Sequence, residues 1–355
     1  MTAVLAGRRP VRHHRRTSGW LRLVWVAVAV AVLVTVLALP HTSDSGILFV
    51  WETAAVQILF ATSVNLLFGE AGIPSFGQAA FFGVGAYTVA MGVPHGWSPP
   101  VLLVAAIGCA GLAAALTGLV TWRTTGLAFA MLTLALAQAI YTLVIKTDTF
   151  GGYNGIPSVT IEPVAGIDLA DPTVFWYFMA GCVGLGVLAF WRISRSPFGH
   201  TLRSIRQDEV RATFLGVNVR AYRVLAFTIA GCGAGLAGAL FAYANQIVTP
   251  DALYWTGSAT PIIMLLLGGM GYFLGPAVGA VLFTWMLHYL NEITTSYLFV
   301  TGLLLLAILV FLPRGLLSVP ASVRELAARL ARRRAARPPG AAPVVTSPAS
   351  EVSDE

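Results

Sequence analysis

Hydrophobic positions along this chain do not alternate with polar ones; they gather into long apolar runs separated by short polar breaks. The runs fall at 21–39, 47–68, 74–93, 100–121, 126–145, 174–191, 223–246, 257–270, 273–290 and 298–313. A helix needs roughly 20 apolar residues to cross the hydrocarbon core of a bilayer. The pattern therefore predicts an all-α, polytopic integral membrane protein with about ten transmembrane or partly broken helices. Several runs are short or interrupted by glycine, so two are expected to be re-entrant or broken.

The polar breaks set the orientation. Arginines concentrate at 8–22, 192–223 and 314–337, in each case flanking apolar runs, and basic loops stay on the cytosolic side. Arg8, Arg9, Arg12, Arg15 and Arg16 precede the first run, and Leu39-Pro40-His41 is a poor small-residue cleavage site. The first run thus reads as an uncleaved span rather than a signal peptide, with the N-terminus cytosolic. Six spans then return the chain to the cytosol at Arg192 and four more at Arg314, while 146–173, with Asp148, Glu162, Asp168 and Asp171, lies outside. The organisation expected is a basic cytosolic arm at 1–19 and a permease domain at 20–318 holding a cytosolic loop at 192–222. A basic amphipathic helix at 319–337 and a Pro/Ala/Ser-rich disordered tail at 338–355 follow, with both termini cytosolic.

Composition agrees. Only 10% of residues are charged and 57% are hydrophobic, against about 25% charged in soluble domains, so much of the surface must face lipid. A net charge of +7 would ordinarily suggest nucleic acid. The basic clusters sit at span ends, however, which makes anionic membrane lipids their partners instead. Cys109, Cys182 and Cys232 are scattered in apolar stretches beside Gly and Ala and read as small packing residues.

No span carries Lys or Arg near its middle, and Glu52, Glu70, Asp251 and Glu292 fall at or near predicted ends. This disfavours a single-component, ion-coupled secondary transporter, which needs a deep charge. The neutral polar residues Gln57, Asn65, Gln78, Gln138, Asn245 and His288 either line a hydrated path or bond between helices. A phosphate-binding loop, a His/Cys metal cluster and a nucleophile elbow are all missing from the sequence. The chain is expected to bind no cofactor itself. If transport is powered, ATP and its magnesium belong to another chain.

Three segments stand out from generic membrane sequence. In NLLFGEAGIPSFGQAAFFGVGAY (65–87), glycines and Pro74 interrupt an apolar run. Such breaks survive in lipid only where protein or water satisfies the freed backbone. The segment reads as a tight turn at 69–73 entering a closely packed helix, either for packing alone or as a half-helix end aimed at substrate. LLLGGMGYFLGPAVGAVLF (265–283) echoes it, 66–72 matching 265–271 as a short parallel repeat. Asn65, Gly72, Ser75, Gln78, Gly269, Gly271 and Gly275 in these two segments are the candidate substrate-path residues.

The third segment is cytosolic, 194–223. Ser196 and Pro197 predict a helix start. Phe198, Leu202 and Ile205 form one apolar face, and Val210, Phe214 and Val217 a second, rotated one. Asp208 and Glu209 separate the faces and Gly216 is placed as a stop. Apolar edges on a soluble loop suggest docking into a groove on a cytosolic partner.

In order and spacing these segments, with GLAFAMLTLALAQ (126–138), GGYNGI (151–156) and AFTIAGCGAGLAGALFA (226–242), resemble the LivM-type permeases of branched-chain amino acid ABC transporters over roughly 47–318. Glu209, Ala212 and Gly216 stand at the matching positions of the family's coupling loop, whereas Arg211 and Gln78 replace an Ala and a His common in relatives. The resemblance implies a multi-pass protein of the bacterial cell membrane. It also implies two homologous permease subunits, two cytosolic ATPase subunits and an extracytoplasmic substrate-binding protein. The implied substrates are branched-chain amino acids or related small polar metabolites, with urea or short amides as the alternative. Phe198, Leu202, Ile205, Glu209, Ala212, Phe214 and Gly216 become the expected coupling residues.

Overall fold

The computed structural model describes residues 34–41, 44–157, 159–161, 163, 168–311 and 315–318. The basic arm, the first part of the first span, the 319–337 helix and the tail lie outside the described residues. Of the first span, 34–41 is helical (α1). The others follow as α2 (Ser45–Asn65), α3 (Gln78–Gly92), α4 (Pro99–Thr121), α5 (Gly126–Lys146) and α6 (Pro172–Ser194). The cytosolic loop forms α7 (Pro197–Gln207) and α8 (Glu209–Phe214). The chain continues as α9 (Val219–Asn245), α10 (Thr256–Gly268), α11 (Gly275–Ile293) and α12 (Tyr297–Phe311). Each apolar run from 47 to 313 is thus a helix within a few residues of its expected bounds.

Helix starts follow local chemistry. Pro99 and Pro100 open α4, and Pro172 opens α6 behind Asp171, whose carboxylate accepts from the Thr173 N–H at 2.7 Å, since proline supplies a helical φ where no N–H is needed. Among the described residues five helices, α2, α4, α5, α6 and α9, are long and apolar enough to cross a membrane, and α10 and α12 are shorter apolar helices. Helix α9 runs through the middle, packed against α2, α3 and α4. Its approach to α3 is backbone-close: a Cβ on Gly238 would overlap the Phe82 carbonyl, and one on Gly85 would overlap Gly235. Small residues at such crossings let helices associate where lipid offers no hydrophobic drive. Cys232 meets Gly111 at the α4–α9 contact, a packing role, whereas Cys109 is exposed on α4.

The periphery faces outward with large apolar side chains: Val104 and Leu116 on α4, Leu127 and Met131 on α5, Leu185 and Leu188 on α6, Leu303 and Val310 on α12. The two ends differ in charge. Arg123, Arg192, Arg195, Arg203, Arg206, Arg211, Arg220 and Arg223 all sit at the end carrying α7 and α8, with Arg123 and Arg220 stacked over Trp122. At the opposite end lie Lys146, Asp148, Asp171, Asp251 and Glu292, around a two-stranded ladder pairing Ile156 with Val248. The arginine-rich end is cytosolic by the positive-inside rule. Glu52, expected at a span end, instead lies two turns inside α2 and is buried.

The α3–α9 crossing gives a stability prediction. Gly238→Ala should lower the thermal midpoint of the solubilised protein, overriding the gain of about 1 kcal/mol that Ala normally brings to a helix interior. Gly184→Ala, where a Cβ meets nothing within 4 Å, should raise or preserve it. Differential scanning fluorimetry of the two variants separates packing from propensity.

Candidate functional site: the cytosolic lever and the broken helix

Helix α2 does not stop cleanly. Residues Leu66–Ala71 continue it as a π-helix, ended by Gly72 at φ 68°, the left-handed conformation glycine adopts without strain. The Leu67 carbonyl accepts from both the Gly72 and Ile73 N–H groups. π-Turns inside helices frequently lie at functional sites, and this one carries Glu70, buried amid apolar sequence.

Helix α7 holds that turn with two arginines. Arg203 Nε lies 3.2 Å from Glu70 Oε2, and its Nη2 donates to the Ser194 carbonyl at 2.6 Å. The Ser194 hydroxyl donates to Glu70 Oε1 at 2.6 Å. One turn on, Arg206 Nη1 donates to the Gly69 carbonyl, supplying the donor that a further helical turn would have provided. A carboxylate bonded by an arginine and a hydroxyl, with both arginines also on backbone carbonyls, is a closed network. Packing seals it, because a Cβ on Gly199 would overlap the Ser194 carbonyl and one on Gly72 would meet the Arg206 stem at 2.7 Å.

The loop behaves as one body. Ser196 starts α7 in the expected place, although its hydroxyl donates back to the Ile193 carbonyl at 2.7 Å instead of capping the helix. Asp208 ends α7 and caps α8, its Oδ1 accepting from the Arg211 N–H at 3.0 Å. Gly216, at φ 83°, closes α8 with Val217 N–H to the Ala212 carbonyl and Gly216 N–H to the Thr213 carbonyl, the Schellman pattern. The body is fixed to α9 by Phe198 stacked on Tyr222 at 5.4 Å and by Glu209 paired with Arg223 at 2.7 Å. Ile205, Ala212 and Val219 form a small core beneath it.

This divides the coupling residues expected from sequence. Leu202, Ile205 and Ala212 are buried against this chain's own helices, and Phe198 and Glu209 are engaged with α9. Phe214 stands 87% exposed, with Leu215 and Val210 beside it. The free apolar surface is therefore the α8 tip alone. Leu215, Glu70, Arg203 and Arg206 were not singled out by sequence reasoning. A lone carboxylate between two glycines, and two arginines three residues apart on the neighbouring loop, were the available signal.

The substrate-path residues divide too. Asn65 and Gly271 line one chamber of about 310 Å³, together with Glu70, Arg203 and Arg206. Gly269 (φ 110°) and Gly275 instead build the α10–α11 turn, a Cβ on Gly275 overlapping the Gly269 carbonyl. The echo between 66–72 and 265–271 is not a structural repeat, since the left-handed glycine is the last of the first segment and an internal one of the second. Ser75 and Gln78 lie elsewhere, at the buried start of α3. There the Phe76, Gly77 and Ala79 N–H groups donate to the hydroxyls of Thr133, Ser75 and Ser258.

Comparison with known proteins bears on this geometry. The family described as branched-chain amino acid transport system / permease component matches residues 46–312. The chain belongs to that family. It is 27% identical over 319 residues, 81% of this chain and 74% of the relative, to the high-affinity branched-chain amino acid transport system permease protein LivM of Escherichia coli K12. To the Salmonella typhimurium LivM it is 26% identical, covering 81% and 73%. To the autoinducer 2 import system permease protein LsrC of Escherichia coli O9:H4 it is 27% identical over 292 residues, 76% of this chain and 80% of the relative. No solved structure matches. The chain is thus an ABC transporter permease subunit, a multi-pass protein of the cell membrane.

The network can be tested as a pair. Glu70→Arg should destabilise the α2–α7 contact by about 1–3 kcal/mol, the cost of unpartnered buried polar groups, and the swap Glu70→Arg with Arg203→Glu should recover much of it. Thermal midpoints of wild type, the two single variants and the double form the cycle. Additive losses in the double would show that the two side chains do not interact.

Proposed function

We propose that this permease works with a homologous second permease subunit, two cytosolic ATPase subunits and an extracytoplasmic substrate-binding protein, importing branched-chain amino acids or related small polar metabolites. Urea or short amides are the alternative cargo. ATP and magnesium belong to the ATPase subunits. The observation that carries the reading is the α8 tip: Val210, Phe214 and Leu215 exposed together on a cytosolic body, itself bonded through Arg203 and Arg206 to the end of a membrane-spanning helix. Exposed apolar side chains grouped on one short helix fit insertion into a groove of a partner. Nucleotide-driven closure of the ATPases would then move α7 and α8 together, and α7 would pull on the π-turn that ends α2.

Cargo is read more coarsely. Relatives with similar chains are named for branched-chain amino acids and for autoinducer 2, so specificity is assigned largely to the binding protein that delivers the solute.

Reconstituted with its partners, the wild type should accumulate at least one of leucine, isoleucine, valine, urea or acetamide in an ATP-dependent manner. Phe214→Asp and Gly216→Asp should cut that uptake roughly tenfold or more, as expected when a central apolar anchor is lost from an interface, with membrane insertion unchanged. Unaltered uptake in both variants, or accumulation without any ATPase, would contradict the reading.

A further inference from the structure

Several arginines at the cytosolic end are bonded within the chain. Arg203 pairs with Glu70, Arg211 with Asp208 and Arg223 with Glu209, and Arg206 donates to the Gly69 carbonyl. Arg123 and Arg220 differ: both are exposed, and among the described residues neither forms an ion pair. The sequence explains the deficit. No Asp or Glu occurs between Glu70 and Asp148, nor between Glu209 and Asp251. The two segments that meet at this corner therefore bring no carboxylate of their own, and Glu209 is already taken by Arg223.

Stacking holds the two cations together nonetheless. Arg123 Cζ lies 4.7 Å and Arg220 Cζ 4.2 Å from the centre of the same Trp122 ring. They are closer to each other than a Debye length of about 10 Å at 0.1 M salt, so each raises the potential at the other. Arg123 follows the C-terminus of α4, where a cation suits the helix dipole. Arg220 lies in the first turn of α9, which holds no acidic residue, and there the dipole disfavours a cation. The first turn of α5 also lacks an acid and is not capped by the Thr125 side chain. A cleft of about 40 Å³ joins these parts, lined by Trp122, Thr124, Thr125 and Gly126 opposite Arg223 and Val224. Two guanidiniums and two helix N-termini thus converge where no described side chain supplies an anion. The corner also faces lipid: Leu119 and Val120 of α4, Leu127 of α5 and Leu225 of α9 lie one to two turns away and are each more than half exposed. An indole at that boundary of apolar and charged surface is the placement of the interfacial aromatic belt.

We propose that this corner is a binding site for one anionic phospholipid of the cytosolic leaflet. Its phosphate sits between Arg123 and Arg220, and its acyl chains lie against Leu119, Val120, Leu127 and Leu225. The guanidinium fork matches phosphate oxygens two at a time. An acidic protein surface would meet the charge but not the apolar face beside it, and a soluble phosphate would leave that face bare. A phospholipid satisfies both. The site borders the lever: Arg220 closely follows the Gly216 stop, and Arg223 in the same cleft holds Glu209. The headgroup therefore steadies the joint between α8 and α9. The assignment depends on neither the cargo nor the ATPase subunits.

Native mass spectrometry of the full-length chain, delipidated in detergent and titrated with lipid, tests the site. Wild type should hold its first phosphatidylglycerol roughly tenfold more tightly than Arg123→Gln/Arg220→Gln, given the attraction of each basic side chain to an anionic headgroup. Phosphatidylcholine should bind both forms equally and weakly. Arg192→Gln/Arg195→Gln removes the same charge at the end of α6, where Arg195 stacks on Trp191 at 4.4 Å, and should leave the first-lipid affinity close to wild type. All four arginines are exposed, so both doubles should keep the wild-type thermal midpoint. Glycerol phosphate, which has the phosphate without the acyl chains, should not displace the lipid. Equal losses in the two doubles would reduce the effect to net charge and overturn the site. So would displacement by glycerol phosphate, or an unchanged affinity in Arg123→Gln/Arg220→Gln. If that double keeps its lipid but loses affinity for the ATPase subunits, the corner belongs to the subunit contact and the lipid assignment falls.

Discussion

A helix that ends inside a membrane protein leaves carbonyls with no water to turn to, and that constraint organises this structure. In α2 the debt falls on the turn at Leu66–Ala71. The wider π-geometry frees carbonyls without unwinding the helix, and Gly72 lets the chain leave at a left-handed residue. What the backbone cannot satisfy by itself, α7 satisfies through Arg206 on the Gly69 carbonyl, while Glu70 draws in Arg203 and the Ser194 hydroxyl. The end of a transmembrane helix is thus completed by groups on a cytosolic lever. Neither is chemically whole without the other, and displacement of one is felt by the other.

That dependence explains why the lever is built as it is. A loop held only by its own contacts would absorb a push. Here α7 and α8 are pinned to α9 by Phe198 on Tyr222 and Glu209 on Arg223, and capped into a fixed bend at Asp208 and Gly216. The exposed ion pair of Arg211 with Asp208 adds little, since such pairs contribute about 0–1 kcal/mol. The charge-assisted bonds at Glu70 are partly desolvated and stronger. Phe214 thus projects from a body fixed to the membrane helices at several points.

Much of the architecture was legible in the sequence because lipid simplifies the code: run length gives helices and arginine placement gives sides. All the arginines of the described residues lie at one end, as the parity of spans required. Caps and stops were legible for a similar reason, since Asp208 and Gly216 act through their own local backbone. The coupling face was half legible. Periodicity told that Phe198, Leu202 and Ile205 share a side, but not that α9 and the α2 turn already cover it. The Glu70 network was not found because it joins residues more than a hundred positions apart, a distance that no local pattern spans. Ser75 and Gln78 were grouped with Asn65 by nearness in sequence. Gly72 and the five residues after it carry them instead to the base of α3, under Thr133 and Ser258.

The seams between helices differ in what it takes to move them. Helices α3 and α9 touch backbone to backbone at Gly85 and Gly238, so sliding there would collide carbonyls with Cα atoms at once. Helices α10 and α11 are locked together in the same manner, a Cβ on Gly279 overlapping the Met264 carbonyl. Between α2 and that α10–α11 pair the contact is made by side chains, among them Ala61, Met264, Leu267 and Phe283 and the edge-on rings of Trp51 and Trp285 at 5.4 Å. Among the described residues no side-chain hydrogen bond crosses it. Side chains can change rotamer where backbones cannot, and an apolar seam has no directional bond to break. Helix α2 is continuous from the lever's arginines at Gly69 up past Asn65 and Ala61 to Gln57. A pull on its cytosolic end is therefore delivered, undiminished by any intervening loop, to this apolar seam.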